Sequence, residues 1–92
     1  MNIRNAQIFS DMVVDALFKY KNEQGITNYR VSQLCGISET ALNYIQHHSR
    51  RPTLYTLKLI ADAVGVDLCD YIKAVQMKLS ENYQINGDDD EK

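Results

Sequence analysis

The chain has 92 residues, 45% of them apolar and 24% charged, the size of one small domain, which excludes a two-domain enzyme with an interdomain cleft. No apolar run approaches the ~20 residues of a membrane-spanning helix, and one Pro with four Gly speaks against a many-turned β fold. The net charge of −2 argues at face value against a polyanionic partner.

The first periodic stretch, Phe9-Met12-Val13-Ala16-Leu17-Tyr20, has the 3–4 spacing of one helix face. Asp11, Asp15, Lys19 and Lys21 fall between those positions, acids early and lysines late, as the helix dipole favours. Asn5 and Ser10 are both candidate N-caps, and Gly25 is expected to end the helix in a left-handed cap with Ile26 folding back. A short second helix is expected from Tyr29 to Cys35, with Val31 and either Leu34 or Cys35 inward. Gly36 closes it, Ile37 anchors, and Ser38 caps a third helix from Glu39 to about His47, with Ala41, Leu42 and Ile45 inward. Helix, Gly, one apolar residue, capping Ser, helix is the form of a helix-turn-helix.

A basic loop, His48-Ser49-Arg50-Arg51-Pro52, leads to Thr53, the cap of a fourth helix whose apolar face is Leu54, Leu57, Ile60, Ala61 and Val64. Gly65 stops it. Asp67 caps a fifth helix carrying Leu68, Ile72, Val75 and Leu79, the alternating four-three-four steps of a packing seam. Asn86-Gly87 then precedes an acidic run. Residues 1–87 are expected to form one domain and 88–92 a disordered, solvated tail.

That tail sets the sign of the net charge. Residues 1–87 hold nine basic and eight acidic groups, a net of +1, and Thr27 to Lys58 hold four basic and one acidic, a net of +3. The excess basic charge thus lies beside the third helix. Cys35 and Cys69 read as small buried hydrophobes in a reducing compartment. With His47 and His48 they offer no zinc-ligand spacing, so neither metal nor cofactor is expected. The N-terminal stretch lacks the basic flank and apolar core of a signal peptide, which points to the cytoplasm. No nucleophile–base spacing, Gly-rich phosphate loop or paired carboxylates on one helix face suggest an enzyme.

From Asn28 to Ile72 the chain resembles the Cro/phage-repressor, or XRE-type, helix-turn-helix family. The residues that carry the resemblance are Thr27, Val31, Gly36-Ile37-Ser38, Leu42, Ile45, Pro52-Thr53-Leu54, Thr56-Leu57, Ile60-Ala61, Ala63 and Gly65-Val66, in register without a gap. With helix 1 it covers about residues 9–74. It implies an all-α, compact five-helix, lambda-repressor-like bundle, here with the last helix extended over 75–87. Departures are Asn28 where the family favours Gln, Gln46 where it has Glu, and His48 where it has Gly in a left-handed turn.

The resemblance makes the third helix a recognition helix for the major groove. By spacing, Glu39, Thr40, Asn43, Tyr44 and His47 are left for base edges; the family's base-reading positions fall on Glu39, Thr40 and Tyr44. Asn43 suits adenine, Thr40 a hydroxyl contact or a thymine methyl, and Glu39 cytosine N4. Each also has the plainer reading of a solvated helix face, Glu39 as a first-turn acid and Tyr44 packed half-buried on helix 2. Asn28, Arg30, Arg50, Arg51 and Lys58 are the backbone-phosphate candidates. Val75, Leu79 and Tyr83 form a ridge expected either to dimerise or to pack back onto Ile8, Phe9 and Met12 of helix 1. The implied function is sequence-specific binding of double-stranded DNA by a dimeric repressor at a palindromic operator. The alternative is a protein-interaction module of the same fold with weak or no DNA binding, with a partner such as a toxin.

Overall fold

A computed structural model describes residues 3–90, with side chains described through Ser80. The elements are α1 (Ile3–Glu23), α2 (Asn28–Cys35), α3 (Glu39–Gln46), α4 (Leu54–Val64) and α5 (Leu68–Asp90), and the described residues contain no strand. Helix α1 packs on α3, α4 and α5, α2 packs on α3 and α4, and α4 on α5. The molecule is the five-helix, all-α helix-turn-helix bundle that the sequence implies.

The turns follow from backbone chemistry. At the end of α1, Gly25 takes φ 74°, its N–H donates to the Asn22 carbonyl and the Ile26 N–H to the Lys21 carbonyl, each at 3.0 Å. This double closure satisfies carbonyls that the helix end would otherwise orphan. Gly36 and Gly65 close α2 and α4 in the same left-handed region, at φ 81° and 90°. Asp67 caps α5 by accepting from the Cys69 N–H at 2.9 Å.

Helix α1 departs from expectation in two ways. It begins at Ile3, so Asn5 and Ser10 lie inside it rather than capping it; Arg4, Ala6 and Gln7 form helix readily and no breaker interrupts them. Its buried face is also wider, since Val14 and Phe18 join Val13 and Leu17 in the core. Lys21, expected among the solvated positions, is only 3% exposed. Its Nζ donates to the Ile26 carbonyl at 2.9 Å and to Asn22 Oδ1 at 2.8 Å, and lies 5.8 Å from the Phe18 ring centre. The turn that folds Ile26 back brings in the carbonyl that holds the ammonium.

Burial pushes the Lys21 amine below the ordinary lysine range. Between that lowered value and the ordinary one the unfolded chain binds more protons than the fold, so this group's contribution makes stability rise with pH. Relative to Lys21→Met, the wild type is therefore expected to gain unfolding free energy as pH climbs through that window. Urea titrations of both proteins at several alkaline pH values check this; parallel curves exclude it.

The core continues through Val31, Leu42, Ile45, Leu57, Ile60, Ala61, Val64 and Leu68. Of the alternatives for α2, Cys35 packs against this core, while Leu34 is exposed. Leu54, expected on the inner face of α4, is instead 68% exposed, because it opens the helix ahead of the turn that meets α2. Cys69 is exposed rather than buried, and Cys35 is half-buried; both are free thiols.

The stripe of α5 points inward. Val75 is 6% exposed and Leu79 is partly buried on the same core, in the helix that lies along α1. Of the ridge considered for dimerisation, these two side chains are thus buried within the protomer; of the α1 residues expected to receive them, Phe9 and Met12 pack on the same core, whereas Ile8 is exposed. The Tyr83 side chain and the acidic residues at 88–92 lie outside the described side chains.

Candidate nucleic-acid interface

Two short helices and the turn between them set this surface. Thr27 Oγ1 accepts from the Arg30 N–H at 3.1 Å to cap α2, and Ser38 Oγ accepts from the Ala41 N–H at 3.1 Å to cap α3. Such caps stabilise a helix by about 1 kcal/mol, a substantial term for helices of eight residues each. Val31 from α2 and Leu42 and Ile45 from α3 are fully buried between them. Fixing the inner face of α3 in this way fixes its outer face.

The outer face carries Glu39, Thr40, Asn43, Tyr44 and, at the C-cap, His47, all exposed. Glu39 stands in the first turn, where the helix dipole favours an anion. His47 Nδ1 lies 2.8 Å from the Asn43 carbonyl, and as that oxygen only accepts, the ring nitrogen donates. Tyr44 is 47% exposed, and the Arg50 guanidinium sits 5.5 Å from its ring centre. A base-reading candidate and a phosphate candidate are thereby stacked on each other, a cation–π contact in which the ring orients the arginine.

Asn28 enters from α2. Its Nδ2 donates to Asn43 Oδ1 at 2.8 Å and to Gln46 Oε1 at 3.2 Å, while its own Oδ1 is buried without a hydrogen-bond partner. Gln46, read from the sequence only as a departure from the family's Glu, thus belongs to the same amide cluster; its position three residues after Asn43 puts it on the same side of the helix.

The loop after α3 holds the other cations. His48 occupies the left-handed region at φ 64°, where the family has Gly, and closes α3 with its N–H on the Ile45 carbonyl and the Ser49 N–H on the Tyr44 carbonyl. Its ring reaches back to α1, with Nδ1 3.3 Å from Asp11 and Nε2 2.9 Å from Asp15. Arg51 meets the same Asp11 oxygen at 3.7 Å. These contacts hold the loop against α1 and offset part of its charge. Arg30 is exposed on α2. Lys58 stands apart on α4, where its hydrogen bond and ion pair with Asp62, 2.9 Å away, hold its ammonium above the ordinary lysine range. The structure thus brings Asn28 and Arg50 onto α3, turns Arg51 towards Asp11 of α1, and engages Lys58 along its own helix.

Two capped helices joined at a left-handed glycine, the second presenting an exposed polar face, define a helix-turn-helix protein. A family model described as helix-turn-helix matches residues 17–71, more than half of the chain. The chain belongs to that family, of the XRE type that includes Cro and the phage repressors, and is a DNA-binding helix-turn-helix regulator; the family is not typically enzymatic. No curated protein and no solved structure matches it. Among the described residues no helix is long and apolar enough to cross a membrane.

Proposed function

We propose that the protein is a sequence-specific repressor that acts in the cytoplasm as a homodimer and reads a palindromic operator with α3 in the major groove. The observation that carries this reading is the exposed face of α3, with Glu39, Thr40, Asn43 and Tyr44 anchored from beneath by Leu42 and Ile45 and flanked by Arg50, with Arg51 next to it in the basic loop. Thr40, Asn43, Tyr44, Glu39 and His47 are the base-reading side chains in this reading. Arg30, Arg50 and Arg51 contact phosphates, with Asn28 at the junction and Lys58 after release from Asp62.

One such domain covers only a few base pairs, so two copies related by two-fold symmetry, with half-sites ~34 Å apart, supply specificity that one lacks. Sedimentation checks the dimer: a protein that stays monomeric at micromolar concentration and on its selected duplex contradicts it. Three to five phosphate contacts give log K a slope against log salt of roughly −3 to −4.5. Titration of pooled random duplex at two salt concentrations measures that slope. If no duplex binds at low salt, the surface of α3 serves a protein partner instead.

Asp11 is expected to compete with phosphate for Arg51. Asp11→Asn should therefore raise affinity for all duplexes alike, by a few-fold, and steepen the salt slope by up to about 0.9, the value of one phosphate contact. Equal affinities and slopes for the two proteins would show that Arg51 does not face DNA.

A further inference from the structure

His48 stands where the family has Gly and brings a ring that glycine lacks. It holds the left-handed region at φ 64°, which disfavours most side chains but which His tolerates better than most. Its Nδ1 lies 3.3 Å from an Asp11 oxygen and its Nε2 2.9 Å from an Asp15 oxygen. An ionised carboxylate only accepts, and a neutral imidazole has one N–H; the imidazolium donates from both nitrogens. Both contacts together therefore require the second ring proton. With a neutral ring, one nitrogen lone pair faces a carboxylate oxygen at hydrogen-bond distance, and that side must open. The side chain is 32% exposed, so solvent reaches the ring without unfolding of the bundle.

The surrounding charges decide what loss of that proton does. The Asp11 oxygen that Nδ1 meets is also the one that Arg51 meets, at 3.7 Å. Lys19 stands one turn beyond Asp15 on α1, and Lys58 and Asp62 of α4 are paired with each other. Arg50 lies against the Tyr44 ring and His47 against the Asn43 carbonyl. Arg51 and the His48 imidazolium thus share one anionic partner. While the ring is charged, it supplies part of the counter-charge of Asp11, and Arg51 is the more readily given up to another anion. The contact to Asp11 is the longer of the two, so a neutral ring keeps Asp15 through its Nε2–H and leaves Asp11 to Arg51.

We infer that His48 is a proton-operated latch on the basic loop. Its imidazolium bridges the two carboxylates of α1 and releases Arg51 for phosphate; deprotonation returns Asp11 to Arg51 and weakens DNA binding. The consequence for DNA rests on the proposed function, whereas the latch itself does not. Affinity should fall as pH rises through about 5 to 8, the interval in which imidazoles change charge. The fall should be a few-fold and alike on all duplexes, since a phosphate contact carries no sequence information. The slope of log K against log salt should be flatter at the alkaline end by up to about 0.9, the value of one phosphate contact.

The test titrates duplex affinity against pH for wild type, His48→Asn and Asp11→Asn. Asn also tolerates the left-handed turn, and His48→Gly, which fits that backbone freely, serves the same comparison should His48→Asn fail to fold. His47 is present throughout, so the difference between wild type and His48→Asn belongs to His48. Both His48→Asn and Asp11→Asn should flatten the pH dependence, the first by removing the proton site and the second by removing the shared partner. A dependence that persists unchanged in Asp11→Asn belongs to the bare charge of the ring and overturns the latch, as does one that is the same in wild type and His48→Asn.

NMR of the free protein keeps these outcomes distinct from failure of the DNA reading. The Asp11 carboxylate carbon and the Arg51 side-chain N–H should move in step with the His48 ring in wild type, and stay still over the same interval in His48→Asn. An Arg51 signal that ignores the ring overturns the latch whether or not DNA binds. An Arg51 signal that follows the ring, in a protein that binds no duplex, retains the latch and removes the DNA reading.

Discussion

Leu42→Ala is expected to destabilise the fold by about 2–5 kcal/mol, the range for emptying a fully buried leucine site. Leu42 is fully buried, and it joins the inner face of α3 to the core shared with α1 and α2. A helix of eight residues has little stability of its own, so this contact largely determines whether the outer face of α3 is presented at all. Total stabilities of small domains are ~5–15 kcal/mol, and the loss should lower Tm by on the order of 10 °C or more. Thermal and urea unfolding followed by circular dichroism measure it. A loss below about 1 kcal/mol would mean that α3 is held by something other than its buried face.

The second large effect concerns DNA, where two substitutions should act in opposite styles. Arg51→Ala should weaken binding to all duplexes alike and flatten the salt slope by roughly 0.9, since a phosphate contact carries affinity without sequence information. Thr40→Ala should cost about 1–3 kcal/mol on the best site and much less on sites altered at one base pair, thereby relaxing preference there. Affinity profiles over single-base variants of a selected site measure both. If Arg51→Ala altered preference at one base and Thr40→Ala weakened all sites equally, the assignment of the two roles would be reversed.

The stretch from α2 to α4 was legible because its punctuation is local. Gly36, Ser38, Thr53 and Gly65 each mark a helix end by chemistry that acts within a few residues, and each does so in the structure. The left-handed turn at His48 was implied by the family resemblance, which has Gly there, and is present at φ 64°. The start of α1 was not legible, as Asn5 and Ser10 look like caps yet are tolerated inside a helix, where each costs only a fraction of a kcal/mol. Lys21 was misplaced for a related reason. Lysines are solvated by default, and the carbonyl that makes this one an exception arrives through the Gly25 turn.

For the site, spacing found which residues of α3 face outward, but not which are already engaged. The bonds from Asn28 to Asn43 and Gln46 depend on the angle between α2 and α3, and the contacts of His48 and Arg51 with Asp11 depend on where α1 passes. Neither angle nor path is written in any short motif. The charge arithmetic gains meaning here too: the local excess of +3 between Thr27 and Lys58 is partly offset by carboxylates of α1, outside that segment. Modest nonspecific affinity and a greater share of binding from base contacts are the expected consequence, which the salt slope on pooled random duplex measures.

Selection of bound sites from a pool of random duplex, at low and then at near-physiological salt, tests the central claim most directly. The expected result is enrichment of a two-fold-symmetric site with half-sites ~34 Å apart, lost when Thr40 and Asn43 are both replaced by Ala. A pool that yields no enriched sequence, or no bound duplex even at low salt, contradicts it.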